Sequence, residues 1–218
     1  MALLTEERMP RAMSIEERPR LVPASSVGAA ETVIPQMLPW MLAAGQPYFS
    51  ELFGGDANAE RTVAKWMTRP SSELFWERAM VLVDEDDRVL GGSIEMLGSV
   101  VNKCRIADTM ELLKRPADEA SAIRERIKEL QGLFLPIRND DFYLSKFGVI
   151  ESMRMRGLGP LLFEAQMVAA RSSGARQIRL ETTHPVLVRF YERAGFEVIH
   201  RGSYRDGKIE YVSMQLEL

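Results

Sequence analysis

The stretch RMRGLGPLLFEAQMVAARSSG, residues 154–174, opens on a basic glycine turn and runs straight into an apolar-periodic segment. Leu158, Leu161, Leu162, Ala165, Val168 and Ala169 follow the spacing of one helix face. Gly174 stands where a C′ glycine ends such a helix. Just upstream, FYLSKFGVI (142–150) is rich in aromatic and β-branched residues and reads as a strand. The glycines therefore join a strand to a helix start. The first N–H groups of a helix lack internal partners, and with the helix dipole they form an anion site. Glycine removes the Cβ and lets a ligand reach the backbone, while Arg154 and Arg156 add positive charge. The turn reads as a pyrophosphate cradle.

Two common cradles do not match it. In the dinucleotide fingerprint G-x-G-x-x-G, Gly157 and Gly159 fit the first two positions but Leu162 fills the third. An ATP-type P-loop needs a Lys-Ser or Lys-Thr pair after its last glycine, and none follows.

The whole chain narrows the choice. Its 218 residues, 46% of them hydrophobic, suffice for one sizeable core. A net charge of −3 offers no basic footprint for nucleic acid. Cys104 is the single cysteine and there are two histidines, so neither an intrachain disulfide nor a Cys/His zinc site is expected, and no metal is implied. The N-terminus lacks the apolar core of a signal peptide. The greasiest stretch, VIPQMLPWMLAA (33–44), is too short to span a bilayer. A cytoplasmic protein without membrane or nucleic-acid partners is the expectation, and a homodimer stays open.

Along the chain, residues 1–20 are charged and proline-broken and read as an N-terminal arm. Residues 21–218 read as a single domain. Leu21-Val22 suggests a brief first strand. Residues 29–44 read as a helix interrupted by Pro35 and Pro39, GQPYFSELFGGD (45–56) as a loop, and Asp56 as the cap of a helix over about 59–67. AMVLVD (79–84) and RVLGGSIEML (88–97) form a hairpin across an acidic turn. Two helices separated by Pro116 look like an insertion at about 98–141. QIRLETT (177–183) is another strand. Pro185 starts and Gly195 ends a helix whose apolar face holds Leu187, Phe190, Tyr191 and Ala194. Two last strands meet at a turn near Asp206-Gly207, with Val212, Met214, Leu216 and Leu218 pointing inward.

The order strand–(Arg154-Met155-Arg156-Gly157-Leu158-Gly159)–helix–strand–helix–Gly195-Phe196 strongly resembles the GNAT superfamily, the general amine N-acetyltransferases. The first motif matches that family's acyl-CoA pyrophosphate motif. HPVLVRFYERAGFEV (184–198) matches its second signature, with Tyr191, Gly195 and Phe196 in register. The match covers roughly 79–218. His184 stands where the family usually has Asn, and Leu187 replaces a small alanine. His184 is read either as a turn or helix cap or as a contact to the CoA arm.

The resemblance implies an α+β fold: a central twisted mixed sheet flanked by helices, in which the strands 142–150 and 177–183 splay apart around the acyl-CoA site. Phe147, Gly148 and Val149 would then meet the pantetheine arm of acetyl-CoA, the co-substrate. Met155, Arg156, Gly157, Leu158 and Gly159 would supply N–H groups to the phosphates, beside Arg154, while Pro160 has none to give. Tyr191 would protonate the departing thiolate. The general base is open. Tyr143 and Ser145 stand where relatives often carry Glu or His, and Glu95 on the preceding strand is a further candidate, as are Glu73, Asp108, Asp140 and Asp141. Trp40, Tyr48, Phe49 and Phe53, with the insertion, are expected to wall the acceptor pocket. The implied activity is transfer of an acetyl or short acyl group to a primary amine of a small molecule or protein by direct attack. The alternatives are an acyl-CoA sensor without turnover and, more distantly, a nucleotide-binding regulator.

Overall fold

A computed structural model describes residues 19–204, 207 and 209–218. Most of the expected N-terminal arm and Asp206 of the expected turn therefore lie outside the described residues.

Seven strands form one mixed sheet: β1 (Arg20–Pro23), β2 (Ala79–Val83), β3 (Val89–Leu97), β4 (Asp141–Val149), β5 (Gln177–Thr182), β6 (Glu197–Tyr204) and β7 (Ile209–Glu217), in the order β1-β2-β3-β4-β5-β7-β6. All neighbours are antiparallel except β4 and β5. The helices are α1 (Ala30–Gly45), α2 (Tyr48–Phe53), α3 (Asp56–Met67), α4 (Gly98–Leu112), α5 (Ala117–Leu130), α6 (Leu158–Ser172) and α7 (Pro185–Arg193).

The period-two alternation of the strands divides them between two cores. Along β4, Phe142 and Leu144 join a cluster with Phe163, Val188 and Tyr191 from α6 and α7. Tyr143, between them, joins the cluster built from α1 to α5 with Trp40, Phe49, Val101 and Ile123. Successive side chains of a strand point to opposite faces, so α1–α5 cover one face and α6–α7 the other. No helix among the described residues is long and apolar enough to cross a membrane.

Six local readings need correction. Helix α1 runs unbroken through Pro35 and Pro39. The two prolines are four residues apart and exposed, on the same side as Glu31. The carbonyls that they leave unpaired therefore face water, while Val33, Ile34, Met37, Trp40 and Met41 stay on the buried side. The stretch expected to be a loop contains α2, because Phe49, Leu52 and Phe53 share one buried face and Gly54, at φ 78°, ends the helix in the left-handed region. Helix α3 begins at Asp56 itself, with no side-chain cap. Ser50 Oγ donates to the Asp56 carboxylate instead. In α6 the buried face is Leu158, Leu162, Phe163, Gln166 and Ala170, leaving Leu161 and Val168 exposed. In α7 the buried positions are Val188 and Tyr191, and Leu187 is exposed. Leu218 lies past the end of β7, also exposed, while Val212 and Met214 are buried as expected.

Candidate functional site

Strand β4 ends at Val149, and a single 3₁₀ turn over Glu151–Met153 leads into the glycine stretch. Met155 and Gly157 both adopt positive φ, 61° and 81°. Gly157 is the N-cap of α6 and offers no side-chain cap. Among the described residues, the N–H groups from Met155 to Gly159 find no backbone acceptor. A Cβ added at Gly157 or Gly159 would meet nothing within 4 Å. The space over this helix start is open, and bare N–H groups line it. Arg154 and Arg156 are exposed beside it, and Arg154 Nε donates to Val149 O at 3.3 Å. These features fit a phosphate group held by the backbone.

From that turn the sheet opens. Strands β4 and β5 pair only through Asp141–Gln177, Phe142–Ile178 and Tyr143–Arg179. Beyond Tyr143 the two strands part, so the second half of β4 borders a gap. Asp141 pins the closed end. Its carboxylate accepts from Arg138 N at 2.8 Å and from Gln177 Nε2 at 2.6 Å, and it pairs with Arg179 at 3.8 Å.

A bulge in β4 shapes the other face. Lys146 lies opposite Ile94 and Leu144 opposite Glu95, so Ser145 is an extra residue. Ser145 and Lys146 consequently both line one cavity of about 210 Å³, bordered also by Glu73, Arg105, Asp108, Tyr143 and Glu181. Its apolar walls include Tyr48, Phe49, Leu52 and Trp66 from α2 and α3, Leu112 and Ile127 from α4 and α5, and Phe134 and Tyr211.

The polar floor is one connected network. Arg105 Nε donates to Glu73 Oε2 at 2.8 Å, and Arg105 Nη2 donates to Tyr143 Oη at 2.8 Å. Tyr143 Oη in turn donates to Glu181 Oε2, and Ser145 Oγ to Glu73 Oε1. Lys146 Nζ donates to Ser145 O at 2.9 Å and stands 4.0 Å from Glu73. Burial alone would raise the Glu73 carboxyl. Arg105 and Lys146, with hydrogen bonds from Arg105 and Ser145, outweigh burial and bring it down to about 2. Burial raises Glu181, against the pull of Arg105 and the Tyr143 hydrogen bond. Burial also raises Asp108 to about 6, against hydrogen bonds from Glu73 N and Ser72. Lys146 is pushed down by burial, and Tyr143 well up.

The sequence candidates divide between the two faces. Tyr143, Asp108 and Glu73 meet in the cavity, with Tyr48 and Phe49, whereas Trp40 and Phe53 lie in the core behind it. Glu95 is not among the cavity residues. It sits opposite Leu144 and accepts a hydrogen bond from Ser93, which in turn accepts from Gln166 of α6 at 2.5 Å. Burial raises its carboxyl. Asp140 makes surface ion pairs with Arg138 and Arg176. Tyr191 is buried in an aromatic cluster with Phe163, Phe190 and Phe196, and burial raises its phenol. His184 caps α7: its Nδ1 accepts from Val186 N at 3.3 Å. Arg105, Lys146 and Glu181 escaped sequence reading. A β-strand glutamate and a helix arginine on a charged segment carry no local mark of a site, and the bulge that turns Lys146 inward has no sequence signature of its own.

Comparison with known proteins agrees with this geometry. Residues 111–218 match the family model described as an acetyltransferase (GNAT) domain. The N-acetyltransferase from Staphylococcus aureus Mu50 superposes with a TM-score of 0.58 at 16% identity, over 84% of this chain and 96% of that one. A GCN5-related N-acetyltransferase from Kribbella flavida does so with 0.53 at 18% identity, over 93% and 98%. A Drosophila melanogaster polyamine N acetyltransferase, described as catalysing the formation of N acetylagmatine, gives 0.53 at 15% identity, over 93% and 100%. No curated protein sequence matches the chain. Residues 111–218 form a GNAT acetyltransferase domain. Its class is that of the acyl-CoA-dependent N-acyltransferases, which carry an acyl group from CoA to an amine.

Proposed function

We propose that this protein moves an acetyl or other short acyl group from CoA to the primary amine of a small molecule held in the 210 Å³ cavity. The observation that carries this reading is the parting of β4 and β5 after Tyr143, with the glycine turn at its rim and the polar floor of the cavity beside it. In this reading the N–H groups of Met155 to Gly159 hold the CoA phosphates, with Arg154 and Arg156 alongside. The edge of β4 at Phe147, Gly148 and Val149 takes the pantetheine arm in place of the missing strand. His184 shapes the neighbouring turn by capping α7 and keeps Nε2 for a ligand. Acetyl-CoA supplies the activated thioester. The protein's residues must orient it, accept a proton from the amine and return one to the sulfur. Tyr191, a protonated phenol, fills the last role.

Mixing the protein with acetyl-CoA and a panel of primary amines, with free thiol as the readout, tests the reading. Amine-dependent thiol release is the expected result. Tight acetyl-CoA binding without release for any amine would instead make the protein an acyl-CoA sensor.

A further inference from the structure

Among the carboxylates that line the cavity, the partners of Glu73 and Asp108 are already provided. Glu73 is gripped by Arg105, Ser145 and Lys146. Asp108 Oδ2 accepts from Ser72 Oγ and Glu73 N, each at 3.0 Å, and its Oδ1, which has no hydrogen-bond partner among the described residues, is still charge-paired with Arg69 Nη1 at 3.6 Å. Glu181 differs. Its Oε2 is held by Tyr143, but its Oε1 is buried with neither a hydrogen-bond partner nor an ion pair within 4.0 Å among the described residues. A buried carboxylate oxygen left without a donor is costly, and such an atom in a cavity marks a place for a ligand's donor. Glu181 also stands two residues beyond the last β4–β5 pair, where the strands have begun to part. The cations of the cavity are engaged: Arg105 by Glu73 and Tyr143, Lys146 by Ser145. The remaining wall is mostly aromatic and aliphatic.

We propose that Glu181 seats the ammonium of the acceptor and takes its proton, and that the acceptor is a small primary amine whose body is uncharged and apolar. This rests on the acyltransferase reading above. Glu181 receives one proton from the ammonium and passes it to water at the cavity mouth. The neutral nitrogen then attacks the thioester carbonyl, forming the N–C bond. As the C–S bond breaks, the sulfur leaves with its electron pair and takes a proton from Tyr191. The proton shed by the new amide nitrogen replaces the one that Tyr191 gave. Tyr143 is a positioning residue in this scheme, since its hydroxyl orients Glu181 Oε2 under the grip of Arg105. Burial raises the Glu181 carboxyl, which makes it a stronger proton acceptor than a solvated carboxylate.

The test uses the full chain with phenethylamine, putrescine and phenylalanine as acceptors, reading kcat/KM for each and the acetyl-CoA Kd. Phenethylamine is expected to exceed both others by at least about tenfold, because a second charge finds no free partner in the cavity. Glu181→Gln keeps the size and the acceptor for Tyr143 but removes the charge. It is expected to lower kcat/KM for phenethylamine by about 10²–10⁴-fold and leave the acetyl-CoA Kd unchanged. Tyr143→Phe, a milder change that covers the case where Glu181→Gln fails to fold, is expected to lower it by about tenfold. Wild-type kinetics in these variants would overturn the role of Glu181 while leaving the enzyme intact. A preference for putrescine or phenylalanine would overturn the apolar acceptor. A wild-type protein that binds acetyl-CoA and acetylates no amine would overturn the acyltransferase reading itself.

Discussion

The two sides of the splayed sheet are built in opposite ways. The side that meets the proposed CoA phosphates is a single run of chain, Arg154 to Gly159, whose backbone does the work. The side that meets the proposed acceptor draws Glu73 from a loop, Arg105 and Asp108 from α4, Tyr143 and Lys146 from β4 and Glu181 from β5. A backbone site tolerates changes of side chain as long as the turn and its open space survive. A side-chain network does not, because each member holds the next against the cost of burial. The difference teaches that an invariant ligand can be met by local geometry, whereas discrimination among acceptors needs charges and walls brought together from afar.

The largest expected effect sharpens this contrast through Tyr191, the one proposed reacting group on the CoA side. Tyr191→Phe keeps the ring contacts to Phe163 and Phe196 and removes only the hydroxyl. Where chemistry limits the rate, kcat should fall by about 10²–10⁴-fold with an unchanged melting temperature. An unchanged kcat would assign Tyr191 to the core alone.

Breaking the network comes next. Glu73→Gln leaves Arg105 and Lys146 without their carboxylate, and a partly buried, unpaired charge costs about 2–4 kcal/mol. Chemical denaturation should show that loss, while calorimetry should show acetyl-CoA affinity nearly unchanged. A parallel fall in acetyl-CoA affinity would show that the two sides are not independent.

The reciprocal change is Gly159→Glu. A Cβ there meets open space, so the fold should persist. A carboxylate placed over the N–H groups should weaken acetyl-CoA binding by roughly 100-fold, through charge repulsion and steric exclusion. Calorimetry on a variant with wild-type melting behaviour checks it, and an unchanged affinity would remove the cradle.

The smallest effect is a pH dependence. Asp108 is raised from 3.8 to about 6 by burial. The folded protein therefore holds a proton that the unfolded chain releases. The resulting penalty is absent below 3.8, grows with pH and is complete above about 6. Between pH 5 and 7 it should grow by about 1 kcal/mol. Asp108→Asn cannot ionise, so its stability relative to the parent should rise by that amount over the same interval. Denaturant midpoints at the two pH values measure it, and a constant difference would mean that Asp108 stays ionised throughout.

Much of the fold was legible because its signals are local. The alternation of AMVLVD and RVLGGSIEML specified β2 and β3. Gly174 and Gly195 marked the ends of α6 and α7, and both adopt positive φ. The places where reading failed are instructive. Pro35 and Pro39 promised a break, but the burial of Val33, Met37, Trp40 and Met41 outweighed two lost bonds on the wet side. The stretch at 45–56, framed by Gly and Pro, carries loop signals, yet Phe49, Leu52 and Phe53 have helix spacing and their shared buried face decides for α2. On α6 the expected apolar face was rotated, since Phe163 and Gln166 pack inward while Val168 faces out.

What the sequence by itself determined was the glycine turn between strand and helix, the order of elements around it and hence the acyl-CoA class. Those properties reside in neighbouring residues, whose backbone preferences act over a few positions. Only the tertiary structure decided which carboxylates meet. It turned Ser145 and Lys146 to one face through a bulge, sent Glu95 to the other, and left Glu181 Oε1 buried without a partner. Side-chain register across a sheet depends on single-residue shifts in pairing, and those shifts are set by packing between segments far apart in the chain rather than by any local pattern.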